Sequence, residues 1–161
     1  MIPCPGMLLI GAAHRNAGKT EYACEVIRRQ TADHQVVGVK ITCISERESL
    51  CPRGGEGCGV GASLAESYCI TEELRPDGAK DTSRMLRAGA SPVLWLRVRA
   101  EHLDDGVAAL LARIPPDAVM ICESNSARQA LVPGLFLVLR RANDPTMKPS
   151  CAAVAHHADR A

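Results

Sequence analysis

Residues 13–20 lie between a short apolar run and an amphipathic stretch, and this arrangement restricts the folds open to the chain. The apolar run covers residues 7–10 and ends at Gly11. From Gly18 to about residue 29, apolar residues recur at helical spacing among charged ones. The order is strand, loop and helix, and a helix amino end presents free N–H groups and a positive dipole. The segment therefore predicts an anion-binding loop at the edge of a sheet.

The residue types in this loop indicate which anion would bind. Lys19 lies between Gly18 and Thr20, an order typical of sites where lysine reaches the β- and γ-phosphates of a nucleotide and a hydroxyl binds Mg²⁺. The usual pattern begins with glycine, and this chain has Ala13 there. We therefore expect Mg²⁺ and GTP or ATP to bind. The predicted loop residues are Ala13, His14, Arg15, Asn16, Ala17, Gly18, Lys19 and Thr20.

The rest of the chain alternates between strand and helix patterns. Further strands are predicted over residues 36–43, 92–98, 118–122 and 135–139, and further helices over residues 77–88 and 101–113. Such alternation predicts a mostly parallel sheet with helices on both faces. The expected fold is a three-layer α/β P-loop NTPase domain spanning residues 1–161. Its ligands should lie beyond the carboxyl ends of the strands.

Three charged residues outside the loop are candidates for the same edge of the sheet. Lys40 and Glu123 each end a predicted strand, and Asp81 lies in a predicted helix. We expect Glu123 to hold Mg²⁺ together with Thr20, and Asp81 to position water, so that Lys19, Thr20, Asp81 and Glu123 form the catalytic set. The alternatives are a capping role for each carboxylate and a solvated end-of-strand position for Lys40.

Composition and charge narrow the function classes. The formal net charge is +1 and the arginines are scattered, which gives little support to nucleic-acid binding. No apolar run is long enough to span a bilayer, and the first residues lack an export signal, so a cytoplasmic protein that does not bind membranes is expected. The 8 cysteines are therefore not expected to form a disulfide framework.

Three segments outside the loop add a family resemblance. Residues 37–40 read Val-Gly-Val-Lys, residues 81–84 read Asp-Thr-Ser-Arg with Ala-Gly-Ala at 88–90, and residues 119–123 read Val-Met-Ile-Cys-Glu. Together with the loop, they resemble the MobB family, small P-loop proteins of molybdopterin-guanine dinucleotide biosynthesis. The resemblance implies GTP and Mg²⁺ binding, weak or partner-dependent hydrolysis, a homodimer, and a partner enzyme of cofactor biosynthesis. It also implies that Lys40 belongs to the nucleotide site.

A segment rich in cysteine and glycine, at about residues 43–69, interrupts the alternating pattern. It contains Cys43, Cys51, Cys58 and Cys69 at irregular spacing, without the close Cys-x₂₋₄-Cys pairs of structural zinc sites. A zinc or iron–sulfur site is therefore supported by clustering alone, and free thiols are the alternative. A glycine-rich insertion of this length can also act as a lid or bind a partner.

Three function classes remain open from the sequence. The first is a nucleotide-dependent adaptor or weak NTPase of cofactor biosynthesis. The second is a small-molecule kinase or ATP-dependent ligase, in which Arg53, Arg84 and Arg87 would clamp an anionic acceptor. The third is a thiol-based metal-binding protein that uses the nucleotide as a switch.

Overall fold

The structure, a computed structural model, describes residues 1–44, 64 and 66–160. Six strands and four α-helices make up the regular structure of this part of the chain. The strands are β1 (Ile2–Ala12), β2 (Val36–Ile44), β3 (Tyr68–Glu72), β4 (Val93–Arg99), β5 (Val119–Glu123) and β6 (Leu131–Leu139). The helices are α1 (Lys19–Gln30), α2 (Asp81–Arg87), α3 (Leu103–Leu111) and α4 (Pro149–Ala152).

The strands form one mixed sheet in the order β3-β4-β2-β5-β1-β6. Every neighbouring pair is parallel except β3 and β4, which are antiparallel at the edge. The predicted α/β fold with a mostly parallel sheet is therefore confirmed. In a parallel sheet the carboxyl ends of all strands meet at one edge, so the loops that follow β1, β2 and β5 lie together.

Helices cover both faces of the sheet, because alternate residues of each strand enter two separate hydrophobic clusters. Leu9 of β1 packs in one cluster with Val107 of α3, whereas its neighbour Ile10 packs in the other with Ile27 of α1. All four side chains are fully buried, and each such burial stabilises the fold by about 1.5–3 kcal/mol. The clusters hold α1 on one face and α3 on the other.

The connection from β1 to β2 and the connection from β5 to β6 run in opposite directions across the sheet. The chain leaves β1 through α1 towards β2, whereas it leaves β5 through the 3₁₀ turn Ser126–Gln129 towards β6, on the opposite side of β1. Ala127 of this turn is buried in the cluster that contains α3, so the two connections cover opposite faces. A reversal of this kind opens a crevice at the carboxyl edge, which is where α/β sheets bind ligands.

Two strands are longer than the sequence pattern predicts. We predicted β1 from residue 7, but it begins at Ile2, and β6 begins at Leu131 instead of residue 135. Pro3 and Pro5 were the misleading signals, since proline removes a ladder donor. Residues 2–4 of β1 pair only with β6, whereas pairing with β5 begins at residue 7, so the prolines lie where one side of β1 is open.

The ends of the predicted insertion also differ from expectation. Cys43 is the penultimate residue of β2, and Cys69 lies in β3, a strand that we did not predict. Most of the segment between them, including Cys51 and Cys58, lies outside the described residues. The helix predicted from residue 77 begins at Asp81, after a turn in which the Gly78 N–H bonds to the Arg75 carbonyl at 3.4 Å. No described helix has the length and apolar character needed to cross a bilayer.

Candidate functional site

The loop of residues 13–20, called here the Gly-Lys loop, turns sharply before α1 begins. Asn16 and Gly18 both have positive φ, 55° and 86°, and Gly18 caps α1. A Cβ on Gly18 would meet nothing within 4 Å. Glycine is therefore suited to this position by its backbone conformation, not by lack of space. The left-handed turn directs the chain so that α1 starts at Lys19, with Thr20 in its first turn.

Asn125 fixes the point at which β1 ends and the Gly-Lys loop begins. Its amide oxygen accepts a hydrogen bond from the Ala12 N–H at 2.8 Å, and its amide nitrogen donates to the Ala12 carbonyl at 3.1 Å. The close approach requires Gly11, because a Cβ there would lie 2.9 Å from the Asn125 oxygen. Asn125 was not among the predicted site residues, although a polar residue two positions after a strand-ending glutamate was a usable signal.

Thr20 and Glu123 come together beneath the Gly-Lys loop. The Thr20 hydroxyl donates to Glu123 Oε2 at 2.9 Å, and Lys19 Nζ lies 3.8 Å from Glu123 Oε1. Thr20 and Glu123 are only 8% and 5% exposed. Parallel pairing of β1 with β5, in which Ile10 is opposite Glu123, delivers the carboxylate to this position. A hydroxyl and a carboxylate that converge at the amino end of a helix match the hard oxygen ligands that Mg²⁺ prefers.

A second ion pair, between Lys40 and Asp81, lines the same site as the Lys19–Glu123 pair. Lys40 Nζ contacts Asp81 Oδ2, with the two side chains 23% and 37% exposed. Burial alone would raise the pKa of Asp81, but the hydrogen bond and charge of Lys40, with smaller contributions from the Thr20 hydroxyl and Arg84, lower it below its ordinary value. Lys40 is therefore a partly buried, paired residue, and the alternative of a solvated end-of-strand lysine does not describe it.

These groups line a cavity of about 850 Å³ at the carboxyl edge of the sheet. The volume falls within the usual range for small-molecule sites. Among the described residues that line it, the basic side chains outnumber the acidic ones by six to three. The basic residues are Arg15, Lys19, Lys40, Lys80, Arg84 and Lys148, and the acidic residues are Glu21, Asp81 and Glu123. In a molecule with a formal net charge of +1, this local excess favours an anionic ligand.

The structure separates the predicted loop residues into two groups. Arg15, Asn16, Ala17, Gly18, Lys19 and Thr20 line the cavity. Ala13 and His14 do not: Ala13 is fully buried and donates its N–H to the Leu139 carbonyl at 2.9 Å, and His14 Nδ1 lies 3.5 Å from Asp144. Ala13 and His14 therefore anchor the loop to the C-terminal part of the chain.

Lys148 lines the cavity although no sequence signal identified it. It precedes α4, and its backbone N–H donates to the Ala13 carbonyl at 2.9 Å. The helix itself was not predicted, but its Cys151 is fully buried in the core. Lys148 reaches the site through a contact with a residue 135 positions earlier in the chain, and a periodicity pattern does not report contacts of that range.

The arginines considered for an acceptor clamp do not form one in the described structure. Arg84 lines the cavity, but it forms an ion pair with Glu21. Arg87 donates instead to the backbone carbonyls of Pro76 and Gly78. Arg53 lies outside the described residues. The two arginines whose positions are known are thus committed to contacts within the protein.

The predicted cysteine site is only partly within the described chain. The strand register places Cys43 beside Val98 of β4, whereas it places Cys69 opposite Arg97, the residue that precedes Val98. Successive strand residues face opposite sides of a sheet, so Cys43 and Cys69 are directed to different faces. Over residues 1–44, 64 and 66–160, no three His, Cys, Asp or Glu side chains form a candidate metal group. Metal binding by Cys43, Cys51, Cys58 and Cys69 stays a prediction.

Trp95 forms part of the far wall of the cavity. Its indole N–H donates to the Thr42 hydroxyl at 3.0 Å, and the Arg97 guanidinium carbon lies 4.9 Å from the ring centroid. Lys80 Nζ lies 5.9 Å from the same centroid. Trp95 is the single tryptophan of the chain, so its fluorescence reports on this wall of the cavity.

Comparison with known proteins adds no family assignment. No family model, curated protein or solved structure matches the chain. The resemblance to the MobB family is therefore carried by the motifs alone.

Proposed function

We propose that this protein is a Mg²⁺-dependent P-loop protein that binds a purine nucleoside triphosphate, GTP or ATP, and hydrolyses it weakly. The observation that carries the proposal is the convergence of Gly18, Lys19, Thr20 and Glu123. A left-handed glycine starts the helix, and a hydroxyl and a buried carboxylate meet at 2.9 Å beneath it. Thr20 and Glu123 are 103 positions apart in the chain, so the fold, and not local sequence, brings them together.

Each residue has a role that follows from its position. The loop N–H groups and the Lys19 ammonium would bind the phosphates, since both carry positive charge at the amino end of α1. Thr20 and Glu123 would hold Mg²⁺, directly or through water, and the ion supplies neutralisation of phosphate charge when bound. Lys19 lies 3.8 Å from Glu123 in the structure, so nucleotide binding would shift it from the carboxylate towards the phosphates.

The state of Asp81 supports weak hydrolysis. Efficient general bases have pKa values near the working pH, whereas the pKa of Asp81 lies below its ordinary value because Lys40 stabilises the charged form. Asp81 can orient a water molecule but is a poor proton acceptor. A carboxylate that orients water without accepting its proton readily is compatible with slow hydrolysis.

The physiological setting follows from the resemblance and stays part of the proposal. A slow NTPase suits a protein whose nucleotide state is recognised by a partner enzyme, here one of cofactor biosynthesis, as in the MobB family. A homodimer and a cytoplasmic location complete this proposal. If the partner enzyme recognises the nucleotide-bound protein in this way, the rate of hydrolysis should rise when that enzyme is added.

Nucleotide titration of a Lys19 variant tests the proposal. We expect calorimetry to show binding of Mg·GTP or Mg·ATP to the wild type and at least about a 100-fold loss in Lys19→Ala, equivalent to about 2.7 kcal/mol. Arg28→Ala is the matched control, since Arg28 lies on α1 but pairs with Glu25 at 3.2 Å on the exposed side. Unchanged circular dichroism would show that both variants fold. Equal affinity in wild type and Lys19→Ala, or no binding by the wild type, would reject the proposal.

A further inference from the structure

The chain segment from Asp144 to Ser150 is fastened at three points, two in the Gly-Lys loop and one at Asn125, which follows β5. The Lys148 N–H donates to the Ala13 carbonyl at 2.9 Å, and Asp144 Oδ2 lies 3.5 Å from His14 Nδ1. The third contact joins Asn125 Nδ2 to the Ser150 hydroxyl at 3.3 Å. These contacts involve different residues of the loop and of β5's carboxyl end, so the C-terminal segment is positioned as a wall of the cavity.

Lys148 differs from the paired basic residues of this cavity. Lys19 lies near Glu123, Lys40 contacts Asp81 and Arg84 contacts Glu21. Within the described chain, the Lys148 ammonium has neither a carboxylate within ion-pair distance nor a hydrogen-bond acceptor. A partly buried cation without a fixed counter-charge is unfavourable in the free protein.

Other positive charges add to this cost. Burial lowers the pKa of Lys148 below its ordinary value, and the nearby charge of Lys19 lowers it further. Arg15 adds a lesser lowering effect, and Cys151 and Glu123 oppose the shift. The three basic side chains line the same cavity, and their mutual repulsion is relieved when an anion binds among them. The arrangement is what a ligand with several negative charges requires.

We infer that Lys148 is a binding residue for the polyphosphate group, supplied to the Gly-Lys loop by the C-terminal segment. The inference builds on the proposed function and adds a residue that the loop motif does not contain. A site that contains Lys148 beside Lys19 and Arg15 favours a triphosphate over a diphosphate, because the additional phosphate charge can interact with Lys148, which has no ion-pair partner among the described residues.

Variants of Lys148 separate its charge from its other roles. Lys148→Met keeps most of the aliphatic stem and the backbone N–H that bonds to Ala13, and removes only the charge. Lys148→Arg keeps the charge. Arg113→Met is the control for loss of one positive charge, since Arg113 is exposed, follows α3 and does not line the cavity.

Calorimetric titrations with inorganic tripolyphosphate, Mg·ATP and Mg·ADP test the inference, with Mg·GTP and Mg·GDP as the second pair. We expect Lys148→Met to weaken binding of tripolyphosphate and of the preferred triphosphate about 10-fold or more, and that of the diphosphate less. Lys148→Arg should retain most of the affinity, and Arg113→Met should match the wild type.

The outcomes distinguish this inference from the proposed function. If Lys148→Met binds tripolyphosphate and the triphosphate as tightly as the wild type does, while Lys19→Ala loses both, Lys148 is not a binding residue and the proposed function stands. If the wild type binds tripolyphosphate in a Lys148-dependent way but no nucleotide, the anion site stands and the proposed function fails. If the wild type binds none of these ligands, both are wrong.

Discussion

At the scale of single residues, the site depends on pairs of charges brought from different elements. Lys40 lies beside Asp81, and Lys19 beside Glu123, although the two members of each pair are far apart in the chain. Thr20 links the two pairs, since its hydroxyl donates to Glu123 and also lowers the pKa of Asp81. Changes to one pair should therefore affect the other more than distant substitutions would.

The Lys40–Asp81 pair should make a pH-dependent contribution to stability. The folded-state pKa of Asp81 is lowered, so its contribution is fully present above the unfolded-state value of about 4 and is lost as pH falls through the folded value. We expect a double-mutant cycle with Lys40→Met and Asp81→Asn to give a coupling free energy of about 0.5–1 kcal/mol at pH 7, a modest value because both groups are partly solvated. Urea unfolding measures it.

The same cycle at low pH is the internal control. Below the folded pKa of Asp81 the carboxyl is protonated, and the coupling should approach zero. The exposed pair Arg75–Asp77, with side chains 80% and 74% exposed, should show almost no coupling at either pH. If the coupling free energy of the Lys40–Asp81 cycle did not change with pH, the charge of Asp81 would not be its cause.

At the scale of elements, sequence patterns identified what is long, periodic and locally specified. The helix after Gly18 and the apolar strand ending at Glu123 were predicted to within one residue at each end. The antiparallel strand β3 was not, because its first residues overlap the end of the segment rich in cysteine and glycine that we interpreted as an insertion. Its place is determined by pairing with β4, which is a tertiary contact.

The candidate site shows the same division. Lys19, Thr20 and Glu123 could be selected from the loop motif and from the end of a predicted strand. Lys40 and Asp81 lie in segments that carry the family resemblance, and all five residues line the cavity. Lys148 could not be selected, because its short helix has no periodic signal. Ala13 and His14 were assigned to the ligand because the motif includes them, but their contacts with Leu139 and Asp144 are visible only in the folded chain.

The pairing of the amino halves of β1 and β6 gives a prediction for an element distant from the site. A Cβ on Gly134 would lie 2.0 Å from the Pro5 carbonyl oxygen, and a backbone atom cannot avoid it by changing rotamer. We expect Gly134→Ala to lower the free energy of unfolding by about 2–3 kcal/mol. Urea unfolding measures the loss.

The control for this substitution lies two residues earlier. Val132 is 40% exposed, so Val132→Ala should change stability by no more than about 0.5 kcal/mol. Nucleotide affinity of folded Gly134→Ala should equal that of the wild type, since Gly134 lies in the amino half of β6 whereas the Gly-Lys loop follows the carboxyl end of β1. An unaltered stability would mean that β1 and β6 do not approach each other as described.

At the scale of the whole molecule, the cavity lies between parts of the sheet that are far apart in sequence. The Gly-Lys loop follows β1, near one edge, whereas Trp95 lies on β4, beside the other edge strand. Hydrophobic clusters run across both parts: Leu9 and Phe136 share one with Leu96 of β4. A continuous core of this kind predicts that the two parts of the sheet unfold together.

Ligand-linked unfolding, observed through the single Trp95, tests this cooperativity and the proposed binding together. We expect the urea transition of Trp95 fluorescence to coincide with that of far-ultraviolet circular dichroism. With the preferred Mg·nucleotide at about 100 times its Kd, both should shift by about 2.7 kcal/mol, because the ligand binds only the folded state. Lys19→Ala should show coincident transitions without the shift. If Trp95 responded at lower urea than circular dichroism, or if the nucleotide shifted only one transition, β2, β3 and β4 would unfold separately from the part of the sheet that carries the loop.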